Sequence, residues 1–243
     1  MKILALETTE KIGTVAAVAG GKLLGQLALE PKLRSAQSLI PAMHQLMQTV
    51  HWTPQDVQLV AVSVGPGSFT GLRVGVTAAK VFAYCVGAAV LGVSTLETIA
   101  AGALEPEDAA ADSPQHGPAE TAGGRISVVL DAQRGDVVAQ CFASDPEHGL
   151  QSLGPEELVP AEQWLASLTP GLLVAGPVLG RLRDRLPAGV LALPPERWPP
   201  RAAVVGRLAA RYYDQGRRDD LWKLAPRYFR RSAAEEKWEA MGR

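Results

Sequence analysis

Residues 62–87 read VSVGPGSFTGLRVGVTAAKVFAYCVG. The apolar run from Leu59 to Val64 predicts a buried strand, and Gly65-Pro66-Gly67 ends it. Ser68 or Thr70 stands where the cap of a following helix belongs. Within that helix Gly71, Gly75, Ala79, Ala83 and Gly87 recur every fourth residue. Residues four apart share one helix face. Glycine in a helix interior costs about 1 kcal/mol against alanine. Three glycines in one stripe therefore imply a close neighbour, either the chain's own sheet or another protein. Arg73 and Lys80 carry the charges of this helix and share a face at i, i+7. Such side chains either snorkel to solvent or, for Arg73, meet an acidic group of a partner. The turn itself is not a Walker loop, because Thr70-Gly71-Leu72 stand where Gly-Lys-Ser would be. Nor is it GxGxxG, since Gly71 comes one residue late.

Working outward, three apolar runs open the chain: Lys2 to Thr8, Gly13 to Ala19 and Lys22 to Leu29. Gly20-Gly21 predicts a hairpin between the second and third. From Arg34 to Val50, apolar Ala36, Leu39, Ile40, Met43, Leu46, Met47 and Val50 follow helical spacing. Ser35 is a candidate cap, and Pro41 is placed to bend this helix or delay its start. A strand at Ala88–Val93 leads to a helix that ends near Gly102. Residues 105–124 lack apolar periodicity and read as a flexible surface insertion. The opening pattern then recurs. Ile126 to Leu130 ends in Asp131, as Ile3 to Leu6 ends in Glu7, and a glycine-containing turn and a second apolar run follow each. Helices at Ala161–Leu168 and Val178–Leu186, strands at Leu172–Ala175 and Val190–Leu193, and a helix from Arg201 to Gln215 complete the pattern.

A chain of 243 residues with 47% hydrophobic and 20% charged residues fits one large domain or two small ones of a soluble globular protein. Its net charge of −1 gives no overall attraction to nucleic acid. The charge is uneven, with ten Lys or Arg from Arg197 to Arg231 against Asp214, Asp219 and Asp220. Such a segment suits either RNA contact or an ordinary solvated face. Cys85 and Cys141 sit in apolar runs and read as small buried hydrophobes in a reducing compartment. Glu7, Glu10 and Lys11 interrupt the first apolar run, so no signal peptide is expected; no segment reaches 18 uninterrupted apolar residues, so no membrane span is expected, and a cytoplasmic location follows.

The string GPGSFTGLRVG closely resembles the signature of the bacterial TsaB (YeaZ-type) family, paralogues of the TsaD-type proteins. LGVSTLETIA, LDAQRGDVVA and the tail LAPRYFRR extend the resemblance over nearly the whole chain. It implies an α/β chain with the two-lobed actin-like ATPase fold of sugar kinases, Hsp70 and actin (ASKHA), built from duplicated mixed sheets of five strands each. The expected lobes are residues 1–103 with the helix 201–217, and residues 104–200, followed by a tail at 218–243. The resemblance also implies a role. The chain is expected to be a non-catalytic scaffold subunit that binds and activates a TsaD-type catalytic subunit, which transfers threonylcarbamoyl to N6 of adenosine 37 in tRNA. A TsaE-type ATPase joins, tRNA is met through the complex, and a homodimer competes for the same surface. No cofactor is expected to bind this chain tightly, ATP belonging to the assembled complex.

The expected partner interface is the small-faced helix and its neighbour: Leu39, Met43, Leu46, Gly71, Leu72, Gly75, Val76, Ala79, Phe82 and Ala83. A vestigial nucleotide site is expected at Glu7, Asp131 and Gly176. In active actin-like ATPases an acid at the first strand end of each lobe precedes a phosphate turn. Here Glu7 is one methylene longer than the usual Asp, Glu10 adds a charge that opposes phosphate, and the turn at Gly176 lacks an acid. The bland alternative is that both acids cap turns or pair locally. No metal site is expected. His44 and His51 lie seven apart, about 10 Å along a helix, and the HxxxH motif of TsaD-type proteins is missing, as is GxSxG. The competing function is a stand-alone actin-like ATPase or kinase, which would need intact acids and phosphate turns.

Overall fold

The computed structural model describes residues 1–104, 124–145, 149–230 and 238. The insertion read at 105–124 lies outside the described residues, Gly124 excepted, as do His116, His148 and Arg231. The chain divides into two compact units, residues 1–95 with 201–243, and residues 96–200.

In the first unit β1 (Lys2–Glu7), β2 (Thr14–Ala19) and β3 (Lys22–Ala28) form an antiparallel meander. After α1 (Ser35–Thr49), β4 (Leu59–Gly65) pairs parallel to β1. After α2 (Phe69–Val86), β5 (Ala89–Ser94) pairs parallel to β4. The sheet order is β3-β2-β1-β4-β5. The central strands are apolar throughout because both faces are covered. Leu4, Leu6, Val60 and Val62 belong to one core cluster with Leu39, Met43, Leu46, Val76 and Ala79 of α1 and α2. On the other face lies α6 (Ala202–Asp214), where a Cβ on Gly206 would stand 2.8 Å from Val18 and 3.2 Å from Ala5.

In the second unit β6 (Arg125–Asp131) and β7 (Asp136–Asp145) form a hairpin. β10 (Leu173–Ala175) and β11 (Leu191–Ala192) extend the sheet in parallel from β6. β8 (Gly149–Ser152) and β9 (Glu157–Pro160) both pair with β7. Helices α3 (Thr95–Leu104), α4 (Ala161–Ser167) and α5 (Leu179–Leu182) complete the set. The sheet path β8-β7-β6-β10-β11 repeats β3-β2-β1-β4-β5 strand for strand. This duplication of a meander followed by parallel crossovers is the two-lobed actin-like fold.

Several local expectations change. The second sheet has six strands, not five, because β7 is ten residues long and takes both β8 and β9 on its outer edge. The unit boundary falls at Thr95/Leu96, so most of α3 belongs to the second unit, and the tail is part of the first. Arg34, not Ser35, is the cap residue of α1; Gln37 Oε1 accepts from its N–H at 3.2 Å. Pro41 lies inside α1 and does not delay it. The helix read over Val178–Leu186 is a single turn, α5, followed by a 3-10 turn at Arg183–Arg185. Both cysteines are exposed, not buried. Cys85 follows Tyr84 on the outer side of α2, and Cys141 falls where β7 alternates outward.

Candidate functional site

The two ends of interest are the carboxyl end of β1 and the surface of α1 and α2. Glu7 ends β1 and is fully buried. Its Oε1 accepts from the Thr9 N–H at 2.7 Å and from the Thr9 hydroxyl, while Oε2 has no partner. Burial pushes its carboxyl from the usual 4.5 up to about 7, partly opposed by the Thr9 hydrogen bonds, and Glu10 adds repulsion. Thr9 O in turn accepts from Ser68 N at 2.8 Å. Glu7 thus fixes the turn that holds the start of α2, and Ser68 caps that helix through Gly71 N at 3.2 Å.

This burial makes a pH prediction. Below about pH 4.5 the carboxyl is protonated in both the folded and unfolded chain and costs nothing. Between 4.5 and 7 the unfolded chain releases its proton first, so stability falls as pH rises, then levels off above 7. A rise from 4.5 to about 7 corresponds to about 3 kcal/mol. Glu7→Gln keeps an acceptor for Thr9 and is expected to abolish that slope. Urea melts from pH 5 to 8 on both proteins check it, and identical slopes would show that Glu7 does not titrate in this range.

Asp131 ends β6 and is exposed. Its Oδ1 accepts from Gln133 N at 3.0 Å and pairs with Arg181 at 2.8 Å. Gly176, at φ +138°, lies against β6, where a Cβ would meet Val129 O at 1.9 Å. Both residues sit in the second unit, at the ends of β6 and β10, while Glu7 sits in the first. Each is engaged locally: Glu7 with a turn, Asp131 with an arginine, Gly176 with a strand.

The stripe on α2 faces inward from Gly71 to Ala83, while Gly87 is the exposed left-handed cap that ends the helix, with open space around it. A Cβ on Gly71 would stand 1.9 Å from Thr8 O, and one on Gly75 would stand 2.3 Å from Thr8 Oγ1. Thr8 Oγ1 donates to Gly71 O at 2.8 Å. The close neighbour is therefore the chain's own backbone just beyond β1. Of the ten residues expected at the partner interface, Leu39, Met43, Leu46, Gly71, Leu72, Gly75, Val76, Ala79 and Ala83 are buried within this chain. Phe82 is partly buried against the same core cluster. α2 is long and apolar enough by composition to cross a membrane, but this face is packed inside its own lobe.

The large apolar side chains that remain outward on the two helices are Ile40, Val81 and Tyr84, at 55%, 57% and 66% exposed. Trp222, 73% exposed, packs edge-on against Tyr84 with ring centroids 5.6 Å apart. The sequence reading counted Ile40 on the apolar face of the first helix, where it is in fact exposed, and singled out none of Val81, Tyr84 and Trp222. Arg73 and Lys80 meet the C-terminal segment. Arg73 stacks 3.9 Å from the Phe69 ring and donates to Tyr228 OH at 3.0 Å. Lys80 Nζ donates to Trp222 O and Leu224 O at 3.1 and 3.0 Å.

A family model described as "TsaD: tRNA N6-adenosine threonylcarbamoyltransferase" matches residues 31–145. A Bacillus subtilis protein, "tRNA threonylcarbamoyladenosine biosynthesis protein TsaB", is 30% identical over 169 residues. The match covers 69% of this chain and 66% of that protein. The chain belongs to the TsaB (YeaZ) family. The Escherichia coli TsaB is 29% identical over 62% of this chain and 58% of its own length. These matched stretches span no more than about two thirds of the curated TsaB proteins. The solved structure of YeaZ from Pseudomonas aeruginosa has the same fold, with a TM-score of 0.76 at 23% identity over 94% of this chain and 99% of that one. TsaB membership relates the chain to TsaD by paralogy, and the TsaD match falls across α1, β4, α2 and β5, where the GPGSFTG turn lies.

Proposed function

We propose that this chain is the non-catalytic subunit of a tRNA threonylcarbamoyladenosine-forming complex, and that it docks onto a TsaD-type catalytic subunit. The observation that carries the reading is family membership: the Bacillus subtilis and Escherichia coli relatives are named as threonylcarbamoyladenosine biosynthesis proteins. The non-catalytic part is supported by Glu7, which is sealed from solvent and committed to Thr9. A stand-alone actin-like ATPase or kinase would need that acid free to reach a metal or phosphate.

The docking surface is the outward side of α1 and α2, around Ile40, Val81 and Tyr84, not the inward stripe. Apolar side chains left exposed on two neighbouring helices are the raw material of helix-to-helix association. The partner's catalytic site acts on adenosine 37 of tRNAs that read ANN codons. A TsaE-type ATPase joins this pair, and ATP and tRNA are met in the assembly. The same face serves a competing homodimer, and the complex works in the cytoplasm.

The test is co-purification with the TsaD-type protein of the same genome, together with turnover assays on the isolated chain. The chain alone is expected to show no ATPase, protease or transferase turnover, and to bind the TsaD-type protein. Turnover that follows the chain through purification and disappears in Glu7→Ala or Asp131→Ala would overturn the reading.

A further inference from the structure

The C-terminal segment lies against β5, the end of β4 and the start of α2. After α6 the chain turns at Gly216, φ +89°, and runs without regular structure from Arg217 to Tyr228. β5 is the end strand of its sheet, so its outer row of N–H and C=O groups lacks a neighbouring strand. Gly92, in the middle of that row, is met on both groups by side chains of the segment. Its N–H donates to Asp219 Oδ2 at 2.8 Å, and its C=O accepts from Arg217 Nη2 at 2.7 Å. Arg217 and Asp219 are themselves paired at 2.9 Å, so the two act as one unit.

The segment then crosses the ends of the strands. A Cβ on Gly92 would stand 2.9 Å from the Leu224 side chain, and one on Gly65 would stand 2.6 Å from Arg227 O. Arg227 N donates to Val64 O, the carbonyl next to the Gly65-Pro66-Gly67 turn, at 2.7 Å. Lys80 holds two carbonyls of the segment, and Tyr228 packs on Phe69 at the start of α2, ring centroids 4.8 Å apart. Glycine in a strand interior marks a close approach. At Gly92 the nearest approach is Val64 Cγ1 of the neighbouring strand β4, at 2.5 Å, and the tail's Leu224 comes next at 2.9 Å.

We propose that residues 217–228 form a clasp that closes the free edge of β5 and locks the turn ahead of α2. Its polar anchors lie at its two ends, Arg217/Asp219 on Gly92 and Arg227 on Val64, with Lys80 between, and Leu221 and Leu224 of the segment rest against the core cluster. Releasing it gives up the contacts of Leu221 and Leu224 but leaves the strands and helices of the core cluster packed, so on this proposal it opens before the lobe as a whole.

Hydrogen exchange on the full-length chain tests the clasp, comparing wild type with the Lys80→Met/Asp219→Ala double variant. The variant removes the Lys80 bonds and the acceptor for Gly92 N–H while leaving the core cluster intact. Exchange in peptides covering 64–72, 89–94 and 217–228 is expected to rise about tenfold or more. Peptides from α1 and from β1–β2 are expected to keep wild-type protection. Arg227→Pro, which deletes the N–H donated to Val64, is expected to raise exchange at 64–72. Unchanged exchange at 64–72 and 89–94 would overturn the clasp, leaving a tail that merely rests on the surface. An equal rise throughout the lobe would overturn it too, because the segment would then be part of the core.

Discussion

Gly75→Leu is expected to destabilise the first lobe itself, not merely to weaken an association. The Cβ it adds would stand 2.3 Å from Thr8 Oγ1, and Thr8 is fully buried just beyond β1. Thr8 cannot swing aside without losing its hydrogen bond to Gly71 O. Nor can the helix back away, because Ala79 and Ala83 press the same face onto the core. Overpacking typically costs about 1–3 kcal/mol where neighbours can give. Here the obstacle is a locked threonine, and three further carbons have to fit between helix and strand. A loss of about 3 kcal/mol or more is a large part of the roughly 5–15 kcal/mol that stabilises a typical domain. It lowers Tm by about 10 °C. Gly71→Ala should act in the same direction with a far smaller side chain, since its Cβ would meet the Thr8 carbonyl itself. Melting curves decide it: a Gly75→Leu protein that melts with wild type would mean that the stripe is not packed as described.

The outward side of the same helices should behave in the opposite way. Ile40 and Val81 are more than half exposed, so Ile40→Glu/Val81→Glu removes little buried area. Surface changes of this kind usually stay within about 0.5 kcal/mol each. At the centre of a docked interface, however, two carboxylates would be stripped of water against an apolar partner surface. Loss of central anchors costs 2 kcal/mol or more, and about 3 kcal/mol corresponds to roughly a hundredfold loss of affinity. The expected result is a variant with wild-type Tm that no longer binds the TsaD-type subunit at micromolar concentration. Undiminished binding in a titration would move the interface elsewhere on the molecule.

The contrast between these variants shows what periodicity in a sequence does and does not reveal. A stripe of small residues every fourth position announces a close approach, and the approach is real. It does not name the neighbour, because Thr8 is 63 residues away from Gly71 in the chain. The strands of the first lobe were legible because burial on both faces demands unbroken apolar runs, and the Gly20-Gly21 turn separates two of them. The repeat of Ile126–Asp131 after Ile3–Glu7 was legible for the same reason, and the matching sheet paths follow from it. β8 and β9 escaped notice because GLQS and ELVP are short, largely exposed edge additions to β7, with no core to impose alternation.

The candidate site was legible in part. The position of Glu7 at a strand end could be read directly, but its burial could not, since that depends on the turn at Thr9 and on α2 closing over it. The clasp left no periodic trace, being an extended segment anchored by isolated side chains. Gly92 did carry a signal: a lone glycine inside the apolar strand AVLGVS marks a place where something comes close.

On the proposed function, the chain supports a partner's chemistry through a helix surface and performs none itself. Reconstituted threonylcarbamoyl transfer to tRNA by the TsaD-type subunit and its TsaE-type ATPase tests it most directly, with wild-type chain, Glu7→Gln or Ile40→Glu/Val81→Glu added at matched concentration. Wild type and Glu7→Gln are expected to support equal product formation, and the face variant to support almost none. Product lost with Glu7→Gln while binding is retained would give the chain a catalytic part, and full product with the face variant would mean that this helix surface is not where the partner binds.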